Sequence, residues 1–261
     1  EQIQEMVSAH QNHPSIFAWG VGNELDGQAG ETIQYIKKAV AYTHRLDSGR
    51  LANYVSNSIF RDPALDGTAY GDIMMVNDYI GTWHGDLDQE GEWDRIIAAN
   101  PGKPVIPSEF GLCEPAFSGG DKRREEIFLK KLNCYRKYPN IAGTVYFCLN
   151  DYRTQMGEDG KGKWKKRVHG STGLKGEAKP SYYAVQREYA PVEVIIQEGG
   201  ISLVCRNTLP CYEVKGYQLR IGARMFDIPD LKPGDRWRIP VSLSGTEDKI
   251  EIFRANGERV R

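Results

Sequence analysis

Two hydrophobic rhythms alternate through the first 190 residues. Short runs of consecutive apolar residues near 16–19, 51–55, 73–77, 105–108 and 143–149 read as strands buried on both faces. Between them lie segments with apolar residues every three or four positions. Residues 1–11 carry Ile3, Met6 and Val7, and 31–46 carry Ile33, Ile36 and Val40. Residues 91–100, 121–138 (Ile127, Leu129, Leu132, Tyr135) and 181–187 continue the series. The 31–46 segment opens on Glu31 and closes on Arg45, charges that suit a helix dipole. Alternation of this kind predicts a parallel sheet with helical crossovers, either an open doubly wound sheet or part of a closed barrel.

From about Pro191 the rhythm changes. Short strands are expected at 194–196, 201–205, 217–221, 237–241 and 249–253. Glu198-Gly199-Gly200, Lys232-Pro233-Gly234-Asp235 and Asn256-Gly257 punctuate them as turns. The expected domains are 1–190, α/β, and 191–261, a small antiparallel β-sandwich of immunoglobulin-like type.

Each apolar run of the first region ends in polar residues, and two end in glutamate. Trp19 leads into Gly20-Val21-Gly22-Asn23-Glu24, and Val105-Ile106-Pro107 leads into Ser108-Glu109. A carboxylate at the C-terminal lip of a parallel strand is where (β/α) barrels hold their chemistry. Gly20-Val21-Gly22 opens no helix, so it is no dinucleotide fingerprint, and no strand is followed by a phosphate loop. Thirty-four Lys and Arg against 35 Asp and Glu leave a net charge of -1, which argues against nucleic acid as a chain-wide partner. No apolar run approaches the roughly 18–20 residues that cross a bilayer, so no membrane partner is expected. The five cysteines have no metal-ligand spacing and read as buried or half-buried thiols. His13, His84 and His169 read as helix-stop, loop or wall residues, because no carboxylate spacing accompanies them. No metal or cofactor is expected. The chain opens on Glu1 inside a helical pattern, as a processed or excerpted chain would.

Asn12-His13-Pro14-Ser15, Gly22-Asn23-Glu24, Asn77-Asp78-Tyr79, Pro107-Ser108-Glu109-Phe110-Gly111 and Gly173-Leu174 through Lys179-Pro180-Ser181-Tyr182-Tyr183 occur in one order. Together they resemble glycoside hydrolase family 2, the β-galactosidase and β-glucuronidase family. The resemblance covers roughly residues 1–191. It implies the C-terminal portion of a (β/α)8 TIM barrel, strands four to eight, followed by the small sandwich. It implies a retaining β-glycosidase that needs no cofactor, with Glu24 as acid/base and Glu109 as nucleophile. Tyr79 would hydrogen-bond the nucleophile, and Asn23 would contact the sugar 2-hydroxyl. Asn77, Trp83, Phe147 and Asp151 are further expected sugar-binding residues. Retention needs two carboxyl groups about 5–5.5 Å apart, so the fold must join residues 85 positions apart.

The chain departs from the family in two places. Phe147 stands where the family usually has a tryptophan under the sugar. Only 23 residues precede Glu24, too few for strands one to three. The expectation is therefore a piece of a longer enzyme, catalytically poor in isolation, whose partners are a carbohydrate and either a second copy or a missing N-terminal part. The rival expectation is a carbohydrate-binding or scaffold fragment without turnover. The basic run Lys161, Lys163, Lys165, Lys166 and Arg167 reads as a solvated loop, or more sharply as a source of a lysine (Lys163) for a uronic-acid carboxylate.

Overall fold

The computed structural model describes residues 1–114, 116–154, 166–197, 199–241 and 249–261, and the chain divides into two compact units. The first comprises Glu1–Ser118 and Asn133–Gly170, and the second Gly119–Leu132 and Ser171–Arg261.

The first unit is built on a four-stranded parallel sheet in the order β1 (Ala18–Asn23), β2 (Leu51–Ser56), β3 (Ile73–Asn77), β4 (Val105–Glu109). Helices α1 (Gln2–His10), α2 (Gly30–Leu46) and α3 (Gln89–Ala99) accompany it. The apolar stripe of α2, with Ile36, Ala39 and Val40, packs on Val21, Ala52 and Tyr54. α3 buries Trp93 and Ile96. The Trp93 ring meets Tyr135 edge-on at 5.3 Å.

The expected fifth strand at 143–149 is not a regular strand. Ile141 makes an isolated parallel bridge to Val105, and the chain then follows β4 through single hydrogen bonds. Val145 N donates to Pro107 O (2.8 Å) and Phe147 N to Phe110 O (3.1 Å). Glycine at 111 permits this approach, since a Cβ there would lie 2.2 Å from the Phe147 carbonyl oxygen. The first strand begins at Ala18, two residues later than the apolar run, and continues to Asn23. A short antiparallel pair, β5 (Tyr152–Arg153) with β6 (Lys166–Arg167), goes unsignalled by the pattern. Lys161, Lys163 and Lys165 lie outside the described residues.

In the second unit, α4 (Gly120–Tyr135) supplies Gly120–Leu132 and α5 (Pro180–Tyr189) follows. Two three-stranded antiparallel sheets share one buried aliphatic cluster. The first sheet is β11 (Arg236–Ile239), β8 (Gly200–Cys205), β7 (Val192–Gln197). The second is β10 (Arg224–Asp227), β9 (Gln218–Ile221), β12 (Ile250–Phe253). β10, the strand the pattern omits, is short and mostly exposed, so it carries no apolar run. Along β12, Ile250 and Ile252 face the cluster while Glu251, on the other face, binds Lys249, Arg220 and Arg259.

Candidate active site

The C-terminal ends of the parallel strands gather the polar residues. β1 and β2 lose register between Gly20 and Asn23, and β3 and β4 lose it between Val76 and Asn77. Bulges at such ends re-aim side chains. Here they set Asn23 across from Val55 and Asn77 across from Glu109. Glu24 follows with φ of 53°; among the described residues it alone, glycines aside, has positive φ. A left-handed glutamate costs about 1–2 kcal/mol, and such strain concentrates at functional sites. Its surroundings impose the conformation. Glu24 N donates to Val55 O (3.0 Å), and the Tyr54 hydroxyl donates to the next carbonyl, Leu25 O (2.7 Å).

The two glutamates line one cavity of about 540 Å³. Asn77 is wholly buried between them. Its amide donates to Glu24 Oε1 (2.8 Å) and Asn23 Oδ1 (3.3 Å), while its carbonyl accepts from Ser108 Oγ (2.9 Å). The Ser108 bond fixes which end of Asn77 is the donor. Tyr79 donates its hydroxyl to Glu109 Oε2 at 2.9 Å. Burial and then the Glu109 charge hold Tyr79 protonated far above the ordinary phenol range. Glu109 is itself pushed up by burial; the Tyr79 hydrogen bond opposes this, the Glu24 charge adds to it, and Asn77 opposes it. The site therefore contains a carboxylate with preset donors beside a second carboxyl group.

Asp78 anchors the β3 tip from below. It is buried, and accepts from Gln89, from Trp93 Nε1 (3.1 Å), from the Tyr135 hydroxyl (2.7 Å) and from Ile80 N (3.1 Å). Tyr79 N donates to His84 Nδ1 (3.2 Å), so Tyr79 is held from both sides.

Of the expected sugar contacts, Asn23, Trp83 and Phe147 line the cavity with Glu24, Glu109 and Tyr79. Trp83 is half-exposed and rests edge-on against Phe117 at 4.8 Å. Phe147 meets His169 edge-on at 5.5 Å. Asn77 and Asp151 are buried behind the lining. The Asp151 carboxylate accepts from Gly170 N (3.0 Å) and pairs with Lys166 Nζ (3.3 Å). His84 and His169 line the same cavity. Among the described residues no group of three or more His, Cys, Asp or Glu could hold a metal.

The pattern missed Asn57, Cys113, Tyr152 and Arg167 as cavity residues. Asn57 and Tyr152 stand two and three residues past apolar runs, so the tip rule that singled out the glutamates would have included them. Arg167 was hidden in a basic run, and Cys113 carried no signal.

A family model described as glycosyl hydrolases family 2, TIM barrel domain, matches residues 1–139. The chain is 32% identical over 121 residues to β-glucuronidase of Rattus norvegicus, covering 42% of this chain and 18% of the relative. It is 31% identical over 119 residues to that of Homo sapiens, covering 42% and 17%. The chain thus spans under a fifth of the length of the curated relatives it matches. Among solved structures it is similar to β-D-glucuronidase of Dictyoglomus thermophilum (TM-score 0.60, 19% identity, 71% of this chain and 34% of that one). It is also similar to a family 2 β-galacturonidase of Eisenbergiella tayi bound to galacturonate (TM-score 0.59, 21% identity, 70% and 35%). At these identities the structural likenesses speak to the fold.

Proposed function

The chain belongs to glycosyl hydrolase family 2, and from that premise we propose that it carries the acid/base and the nucleophile of a retaining β-glycosidase acting on terminal β-linked uronides. The observation that carries the reading is the lining of one cavity by Glu24 and Glu109, with Tyr79 bonded to Glu109 and Asn77 to Glu24.

Glu109 would attack the anomeric carbon while Glu24 protonates the departing oxygen, forming a glycosyl-enzyme ester. Glu24 would then take a proton from water, which attacks the same carbon and releases Glu109. The Tyr79 hydroxyl stabilises the Glu109 charge before attack and after release. Asn23 would hydrogen-bond the 2-hydroxyl, with Asn77 orienting it from behind. Trp83 and Phe147 offer ring faces and edges to the sugar, and a phenyl ring is a smaller platform than an indole. Asp151 would act by pinning Gly170 and Lys166 and not by touching sugar.

The uronide class has two supports. Relatives of the matched segment are β-glucuronidases, and Arg167 is the one lysine or arginine among the described residues lining the cavity. A guanidinium there would pair with a sugar carboxylate. The same reading takes β1 to β4 and the 141–147 segment as barrel strands four to eight. It takes 1–190 as the catalytic domain, 191–261 as an immunoglobulin-like sandwich, and the chain as part of a longer polypeptide. Hydrolysis of a nitrophenyl β-glucuronide by that polypeptide, followed by NMR, tests it. First release of the β-anomer supports it, and the α-anomer overturns it.

A further inference from the structure

Behind Phe147, the cavity wall contains a thiol and an imidazole in contact. Glu114 and Val168 form an antiparallel bridge, with hydrogen bonds in both directions (3.3 and 3.1 Å). That bridge sets the flanking residues Cys113 and His169 side by side, Sγ to Nδ1 at 3.2 Å. Both are 2% exposed, and both line the cavity. His169 is fixed in turn by the rings of Phe147 (5.5 Å) and Tyr152 (5.6 Å). The glycosidase steps use neither residue. A thiol is a nucleophile once its proton has an acceptor, and imidazole is the usual one.

We propose that Cys113 is a reversible thiol-modification site taking small disulfides, with His169 as its proton acceptor. The Sγ proton passes to His169 Nδ1, and the sulfur attacks one sulfur of the reagent. The reagent's S–S bond breaks, and its departing thiolate takes the proton. Cys113 is oxidised to a mixed disulfide, one half of the reagent is reduced to a thiol, and a second thiol reverses the exchange. Cys113 is 2% exposed, so a small disulfide reaches its sulfur faster than a bulky one of comparable reactivity. The adduct occupies space beside Glu109 and Phe147, which makes sugar binding responsive to the thiol–disulfide balance.

The test treats the native chain with 2-hydroxyethyl disulfide and follows each cysteine by peptide mass spectrometry. Cys211 is exposed and reports surface reactivity, while buried Cys134 and Cys205 report unfolding. The expected result is modification of Cys113 at least about tenfold faster than of Cys134 and Cys205, reversed by dithiothreitol. His169→Gln slows Cys113 by at least about tenfold and leaves Cys211 unchanged, and glutathione disulfide, a bulkier reagent, reacts more slowly at Cys113. An unmodified Cys113 in folded protein, or a rate indifferent to His169→Gln, overturns the proposal. Added glucuronate should slow Cys113 alone. Labelling without that protection leaves the thiol site standing and counts against the uronide reading.

Discussion

Glu109 in the first unit and Glu251 in the second are the same side chain under opposite fields. Glu109 is half-buried beside a second carboxyl group, and its partial burial pushes it up, with one phenol and one amide opposing. Glu251 is 3% exposed, yet Lys249, Arg220 and Arg259 converge on it and hold its pKa down to about 2. Packing differs in the same sense. The shared core of the two antiparallel sheets is nearly all aliphatic, with Val192, Ile201, Leu203, Leu219, Ile221 and Ile252 essentially unexposed. The ends of the parallel strands bury Ser56, Asn77 and Asp78. Buried polar groups cost stability unless bonded: Ser56 donates to Asp66, Asp78 accepts from Trp93 and Tyr135, and Asn77 accepts from Ser108 and donates to Glu24. One unit uses a glutamate to close a charge network. The other holds its glutamate through a phenol and an amide, the neutral donors the proposed nucleophile would use.

Substitutions should separate the two regimes. The largest effect is expected from Glu109→Gln in the full polypeptide, a loss of kcat on the order of 10⁴-fold on nitrophenyl β-glucuronide, with the secondary structure retained by circular dichroism. Tyr79→Phe removes a hydroxyl bonded to Glu109 Oε2 and should lower kcat about 10²-fold. In the second unit, Glu251→Gln leaves three cations without their shared anion. Urea unfolding followed by Trp237 fluorescence should show a loss of about 1–3 kcal/mol with no change in labelling at Cys113.

The pH dependences should have opposite signs. Glu251 has its folded pKa depressed from 4.5 to about 2, so its stabilisation is complete above pH 4.5 and disappears as pH falls toward 2. Glu109 has its folded pKa raised, so its ionised form destabilises the fold above that pKa, and the penalty fades on acidification. Glu109→Gln should therefore unfold at a slightly higher temperature than wild type at neutral pH, the smallest of these effects. Equal melting temperatures at pH 7 would show that its burial carries no penalty.

Periodicity located the parallel strands because strands covered on both faces must be continuously apolar, and their polar ends then stand out. That contrast found Glu24 and Glu109. It could not find the bulges at Gly20–Asn23 and Val76–Asn77, because register depends on the neighbouring strand. It could not show that Asn77 and Asp151 are buried, since a polar residue at a strand tip looks alike in front of a cavity and behind it. The 143–149 run was apolar for its packing, yet it follows β4 with too few hydrogen bonds for a regular strand. The Cys113–His169 contact joins residues 56 apart through one bridge, a pairing no local pattern encodes.

The central claim is that Glu109 attacks sugar across a cavity it shares with Glu24. Its most direct test is incubation of the full polypeptide with an activated 2-deoxy-2-fluoro-β-glucuronide, then peptide mass spectrometry. The expected result is one covalent sugar adduct, on the peptide containing Glu109 and on that residue. Turnover of glucuronides with no adduct at Glu109, or an adduct on Glu24, would contradict it.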